Sequence, residues 1–407
     1  MLPTPQPTVP LRRQPTFLLF SLARVGSRAG AQSMSVAIGW QMYQLTGSPL
    51  DLGLVALVEF LPAAGLMLVA GQVADRFGRR SVSRIAQLVQ AVLAIALATA
   101  SGWGTVTPIF LYALVFALGA ARAFEAPALQ ALLPDVVAAG DLPRAIAASS
   151  AVMQCALVVA PALGGLAYLA GAPLAYGLCA LLFGGAAIAM SFLRARGESG
   201  MAHRMTLDSV LGGVRYVRSH PVLLGALSLD LFVVLLGSAT ALLPVFARDV
   251  LGAGPGGLGL LRAAPAVGAF AMSVWLARHS TGGSIGRKMF AAAAVFGLSI
   301  IVFGLSDCLL LSLAALVVLG ASDMLGAVIR STLVQIGTPD DMRGRVSAVN
   351  ALVVGTSNQL GDFEAGLTAS WWGARPAVVL GGIGTLCVCA LWIRWFPALY
   401  ARDRLER

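Results

Sequence analysis

The residues of this sequence with chemistry to do are carboxylates and guanidinium groups set inside long apolar runs. Glu59, Asp230 and Asp323 stand in such runs, and so do Arg24, Arg28, Arg122 and Glu125. A carboxyl group carried between dry and wet surroundings takes up and releases a proton, because desolvation disfavours its charged form and water or a cation restores it. A guanidinium in the same place holds a carboxylate or another anion. A charge at the centre of a hydrocarbon span costs ~2.5–3.5 kcal/mol on insertion scales, so its retention points to a task. A buried ion pair or a snorkelling side chain is the competing reading, and residue type alone leaves both open. Catalytic patterns give no such lead. HExxH and P-loop motifs are absent, and His203, His220 and His279 stand at the edges of apolar runs. Cys155, Cys179, Cys308, Cys387 and Cys389 lie in or beside those runs and read as small apolar packing residues, with no disulfide framework, metal site or cofactor implied.

The elements that must position these charges follow from composition. Of 407 residues, 58% are hydrophobic and only 11% are charged, with a mean hydropathy of +0.84. A water-soluble domain keeps roughly 25% charged residues, so most of this chain faces another solvent. Apolar runs of the ~20 residues that cross a bilayer recur throughout, too long and continuous for barrel strands. The expected fold is an all-α polytopic membrane protein with twelve transmembrane helices. The spans fall near 17–45, 50–73, 81–102, 106–126, 142–169, 172–193, 221–247, 256–277, 286–305, 308–330, 344–369 and 376–396. The first begins at Phe17 behind a Pro-rich tail bearing Arg12 and Arg13, and reads as a retained span rather than a signal peptide. Counting ~1.5 Å per residue puts Arg28 about 18 Å, Asp230 about 15 Å and Glu59 about 13 Å below their surfaces, near the midplane. Glu59 and Asp230 are therefore the first candidates for proton coupling, with Asp323, closer to the cytoplasm, next. Arg24 and Arg28 are one helical turn apart and share a face. Asp362 and Glu364 lie toward the outer end of their span, where an interfacial role suffices.

With the N-terminus inside, 23 of the 28 basic residues fall on the cytoplasmic side and only Arg248 and Arg375 on the other. This bias places both termini in the cytoplasm. The net charge of +10 then reflects topology and anionic lipid, and calls for no nucleic-acid partner.

The chain also repeats itself. Pro49, Gly53 and Leu54 match Pro255, Gly259 and Leu260, and Glu59, Pro62 and Gly65 match Arg262, Pro265 and Gly268. "DLPRAIAA" from Asp141 echoes "DMRGRVSA" from Asp341. The expected organisation is a six-helix half over 1–193, a cytoplasmic linker over 194–220 and a second six-helix half with a tail over 221–407. Repeated halves around a midplane cavity are a common build for secondary transporters.

The stretch "GQVADRFGRR" sits between spans two and three. Its Gly71, Asp75, Arg76, Gly78, Arg79 and Arg80 resemble the cytoplasmic loop motif of the major facilitator superfamily. Asp75 is suited to the N-terminal end of another helix, where the macrodipole favours an anion, and the expected partner is span 11 near 343–348. Arg79 is expected to reach an acid at the cytoplasmic end of span 4, with Glu125 the leading candidate. Together with "WQMYQLTGSPLDLGLV", "EFLPAAG", "LQALLPDVV", "APALGGL" and "SNQLGDFEAGL", the pattern resembles the branch of enterobactin exporters and transmembrane secretion effectors over about residues 12–396. The resemblance implies two pseudo-symmetric halves around a central cavity lined by spans 1, 4, 7 and 10, with export driven by proton antiport. It implies cavity roles for Arg24, Arg28, Arg122, Glu125 and Asn358, and a fifth-span motif in Pro161, Gly164 and Gly165. Two departures stand out: Ala160 precedes Pro161 where the exporter motif has Gly, and Ala277 replaces the Asp expected in the corresponding loop of the second half.

The expected function is proton-coupled export of a small amphipathic molecule, siderophore or drug-like, by a monomer in a bacterial inner membrane. The alternatives are a proton-coupled importer or lipid transporter of the same fold, and a transport-dead sensor or scaffold. Its partners would be the small-molecule substrate, protons and membrane lipid.

Overall fold

A computed structural model describes residues 14–193, 207–279 and 283–402. Arg12, Arg13, the start of the expected linker through residue 206 and the end of the tail lie outside the described residues, as does the side chain of Asp75. The described chain is helical, with no strand. Its helices are α1 (Pro15–Thr46), α2 (Pro49–Phe77), α3 (Arg79–Gly102), α4 (Pro108–Val136), α5 (Leu142–Leu169), α6 (Ala172–Phe192), α7 (Leu207–Ser219) and α8 (Pro221–Leu236). After them come α9 (Leu243–Val245), α10 (Gly254–Arg278), α11 (Ile285–Leu305), α12 (Leu309–Ile336), α13 (Asp340–Trp372), α14 (Ala374–Trp395) and α15 (Pro397–Tyr400).

Local chemistry sets many helix starts. Proline, which has no N–H to lose, stands in the first turn of α4, α5, α6, α8 and α10. Thr107 caps α4 by accepting from the Phe110 amide at 3.3 Å. Gly78 separates α2 from α3 with φ of 82°, a left-handed backbone that glycine adopts without a Cβ penalty.

Among the described residues, ten segments are long and apolar enough to cross a membrane. Two further helices have the length, α1 with 32 residues and α13 with 33, but carry more polar side chains. Large apolar residues such as Ile109, Leu181, Leu174 and Leu310 are exposed on the helix surfaces, as hydrocarbon solvent requires. The seventh span, expected as one run over 221–247, is interrupted. α8 ends at Leu236, a 3-10 turn covers Thr240–Leu242, and the one-turn α9 leads into a π-turn over Phe246–Val250. Pro244 cannot donate to the preceding turn, and Ser238 and Thr240 beside the break both donate to Asp362 of α13, the latter at 2.6 Å. Asp362 is thus a partner of this break. The stretch expected as linker is partly helix: α7 packs on α13, and Val217 joins Leu223, Val334, Val346 and Val349 in one apolar cluster.

Contacts divide the chain into two compact units, one of Met1–Ile38 with Val58–Arg204 and the other of Gly39–Leu57 with Met205–Arg407. In the first unit α3 packs on α4 and α6, and Phe17, Phe20, Leu132, Leu133 and Met190 form a core at one end. In the second α10 packs on α12, and α11 packs on both α12 and α14. The hairpin joining α1 to α2 belongs to this second unit: a Cβ at Gly53 would lie 2.9 Å from the Phe363 carbonyl oxygen and 3.1 Å from the Gly366 Cα. The sequence echo has a structural counterpart in each unit. A Cβ at Gly119 of α4 would collide with the Glu59 carbonyl of α2, and one at Gly320 of α12 with the Pro265 carbonyl of α10. Each unit thus contains the same tight helix crossing beside the matched proline.

Candidate functional site

A cavity of about 310 Å³ opens within the first unit, lined by residues of α1, α3, α4 and α5. Arg24, Arg28, Arg122 and Glu125, four of the five expected cavity residues, all line it. Arg24 and Arg28 share the α1 face that their spacing requires, and Ala126, Leu129, Met153 and Leu157 supply apolar walls. Three of the four charged groups are engaged. Arg24 Nη1 donates to Ser149 Oγ at 2.7 Å. Arg122 pairs with Glu59 of α2, each side chain 25% exposed. Glu125, 5% exposed, accepts from Gln87 Nε2 at 2.9 Å and from Gln90 Nε2 at 2.6 Å. Both glutamines come from α3, where they sit nearly one turn apart. Arg28 is exposed into the cavity and has no hydrogen bond or ion pair among the described residues.

The second unit holds a smaller cavity of about 30 Å³ between α8, α11 and α12, lined by Asp230, Ser322, Asp323 and Gly326 with apolar neighbours. Such a volume exceeds the ~10–15 Å³ that one water needs. Asp230 pairs with Arg330 of α12, the two side chains 11% and 7% exposed. Asp230 Oδ2 and Arg330 Nε have no further hydrogen bond among the described residues. Asp323, two turns before Arg330 on α12, has neither an ion pair nor a hydrogen bond among the described residues and is exposed at the cavity wall. Asn358 belongs to this unit too, on α13, where its Nδ2 donates to the Val354 carbonyl of its own helix at 2.8 Å.

The loop motif acts as a strap at the end of the first unit. Buried Arg79 donates from Nη1 to Asp135 Oδ2 and to the Ala131 carbonyl, both at 3.0 Å. The expected acid was Glu125, and the structure corrects it to Asp135. Glu125 lies ten residues earlier on α4, about 15 Å further along the helix by rise, and is held by the two glutamines. Arg80 donates from Nε to the Met190 carbonyl at 3.0 Å and from Nη2 to the Ser191 carbonyl, closing the last turn of α6 where free carbonyls and the dipole favour a cation. Arg76 lies over the Phe77 ring at 5.6 Å, and the region around Gly71 is open. In the fifth-span motif Pro161, Gly164 and Gly165 are buried. A Cβ at Gly164 would sit 2.7 Å from the Ser33 Cα, and Ser33 Oγ donates to the Ala160 carbonyl at 2.8 Å. The motif therefore brings α5 against α1.

Sequence reasoning missed several partners: Arg330, Asp135, Gln87, Gln90 and Ser149. It also missed a cluster at the hairpin joining α1 to α2, where Tyr43 donates to Asp249 and Arg248 Nη1 donates to the Tyr43 carbonyl at 3.1 Å. All five cysteines are free, and no group of metal-ligating side chains occurs among the described residues.

Comparison with known families decides the identity of this arrangement, since the family described as transmembrane secretion effector matches residues 6–404. The chain belongs to that family. This secretion-effector protein is similar to the multidrug efflux pump Tap of Mycobacterium tuberculosis, 28% identical over 96% of this chain and 95% of that protein. It is similar to the enterobactin exporter EntS of Citrobacter koseri, 26% identical over 92% of this chain and 87% of that protein. Among solved structures it resembles a bacterial homologue of the human lysosomal transporter Spinster, with a TM-score of 0.76, 15% identity and coverage of 97% of this chain and 100% of that one. The nucleoside transporter NupG gives 0.76 at 12% identity, over 95% and 99% of the two chains. These likenesses establish the fold of a major facilitator superfamily transporter, and the secretion-effector protein is a multi-pass membrane transporter rather than an enzyme.

Proposed function

We propose that the protein is a proton-coupled exporter of a small amphipathic molecule, siderophore or drug-like, that works by alternating access. In this reading it crosses a bacterial inner membrane twelve times as a monomer, with both termini in the cytoplasm. Relatives named as a multidrug efflux pump and an enterobactin exporter support the direction of transport.

The observation that carries the coupling reading is Asp323, a carboxyl group without an ion-pair partner among the described residues, at the wall of a water-sized cavity that also holds paired Asp230. A carboxyl so placed binds a proton when its surroundings dry and loses it when water enters. Glu59 and Asp230, the deeper candidates, are each held by an arginine. They serve as the groups whose pairing shifts during the cycle, and Asp323 carries the proton. Asp75 and the arginines of the loop motif form the inner gate.

Flux measured in proteoliposomes under an imposed pH gradient, with fluorescent drugs and catecholate siderophores as the panel, tests this reading. Substrate movement opposite to the proton gradient, abolished by a protonophore, is the expected result. Movement in the same direction as protons would overturn export, and flux unaffected by the protonophore would overturn coupling.

A further inference from the structure

We propose that Arg28 anchors the transported molecule through an organic carboxylate, so that the first-unit cavity selects amphipathic anions over their neutral and cationic analogues. This rests on reading that cavity as the substrate site of an exporter. Around it stand three guanidinium groups, of Arg24, Arg28 and Arg122, and two carboxylates, of Glu59 and Glu125. Both carboxylates are already engaged, Glu59 by Arg122 and Glu125 by the amides of Gln87 and Gln90. One positive charge is left over, shared by Arg24 and Arg28, and of these two it is Arg28 whose donors have no acceptor among the described residues. Arg24, one turn away, is tied to a neutral hydroxyl and adds to the same field.

A guanidinium presents paired N–H donors in a plane that fits the two oxygens of a carboxylate. The walls opposite are apolar, formed by Ala126, Leu129, Met153 and Leu157, and accept the body of an amphipath. A volume of about 310 Å³ falls at the lower end of sites for drug-sized ligands, so a compact aromatic or branched acid fits best. The same excess charge disfavours a cation, which would have to displace Arg122 from Glu59, or the glutamine amides from Glu125, to find a counter-charge. An anionic lipid headgroup offers similar chemistry to Arg28, and the test must separate it from a free acid.

The test is calorimetric binding to the full chain in phosphatidylcholine nanodiscs, with 2-naphthoate, its neutral amide and 2-naphthylmethylamine as probes. Wild type should bind 2-naphthoate about tenfold tighter than the amide and the amine weakest, a ratio that corresponds to ~1.4 kcal/mol. Arg28→Gln should lower naphthoate affinity to that of the amide and so erase the preference, while Arg28→Lys should keep part of it. Ala31→Glu, a carboxylate one turn from Arg28 on the same face, should erase it as well by supplying an internal counter-ion. Equal binding of naphthoate and amide by wild type, or a preference that survives Arg28→Gln and Ala31→Glu, would overturn the assignment. Loss of naphthoate binding when phosphatidylglycerol is added, in wild type but not in Arg28→Gln, would overturn it in favour of a lipid site. Because the readout is binding, the preference can stand even if the flux assay rejects proton-driven export, and the two failures are distinguishable.

Discussion

In the first unit three guanidinium groups face two carboxylates, and in the second Asp230 pairs with Arg330 while Asp323 makes no ion pair among the described residues. The units share a repeat, and each has the same crossing of a proline-bearing helix against a glycine of its neighbour. On that common frame Glu59 of the first unit corresponds to Arg262 of the second, so the repeat conserves backbone packing while letting charge diverge. The leftover group differs in sign: Arg28 in a roomy cavity, Asp323 beside a water-sized one. On the coupling proposed above, the duplicated helices divide the work, one copy suited to an anion and the other to a proton.

The two ion pairs differ in burial, and this is where the comparison breaks most visibly. Arg330→Met leaves Asp230 buried without its cation, which should cost roughly 3–5 kcal/mol and lower the thermal midpoint of the purified protein strongly. Adding Asp230→Leu should recover most of that loss, and a double variant as unstable as the single would contradict a pairwise origin. The paired crossings predict an intermediate effect. Gly119→Ala and Gly320→Ala each force a methyl group against a backbone carbonyl and should cost ~1–3 kcal/mol, with similar losses in both units. A large loss in one unit alone would show that the crossings are not equivalent. Glu59→Gln comes last, at about 1 kcal/mol, because the Arg122–Glu59 pair is partly exposed and water takes over much of the lost interaction.

Much of the frame was legible in the sequence because it depends on local pattern. Apolar runs bounded by glycine, proline and charge mark helices, and the matched Pro62 and Pro265 mark the repeated crossing. Arg24 and Arg28 were assigned to one face by spacing alone, and both line the cavity. Charge partners were not legible, since Arg122 reaches Glu59 and Arg330 reaches Asp230 from other helices, and the azimuth of one helix about another leaves no trace in periodicity. Depth counting favoured Glu59 and Asp230 as coupling acids for that reason: it registers distance from the surface but not the arginine across the interface. The Arg79 partner was misassigned within the correct helix. Depth alone could have found it, because Asp135 is the penultimate residue of α4 and Glu125 lies nearly three turns further in. The interruption of the seventh span was hidden because its marks, Gly237, Ser238, Thr240 and Pro244, are all uncharged and lie within a run long enough for one spanning helix.

Counterflow in proteoliposomes tests the division of labour most directly, by comparing gradient-driven transport with downhill exchange in Asp323→Asn at matched expression. The account predicts that uphill transport against substrate falls to background while exchange persists, because the proton site is lost and the anion cavity of the other unit is untouched. Full gradient-driven transport by Asp323→Asn, or loss of exchange together with uphill transport in a folded protein, would contradict it.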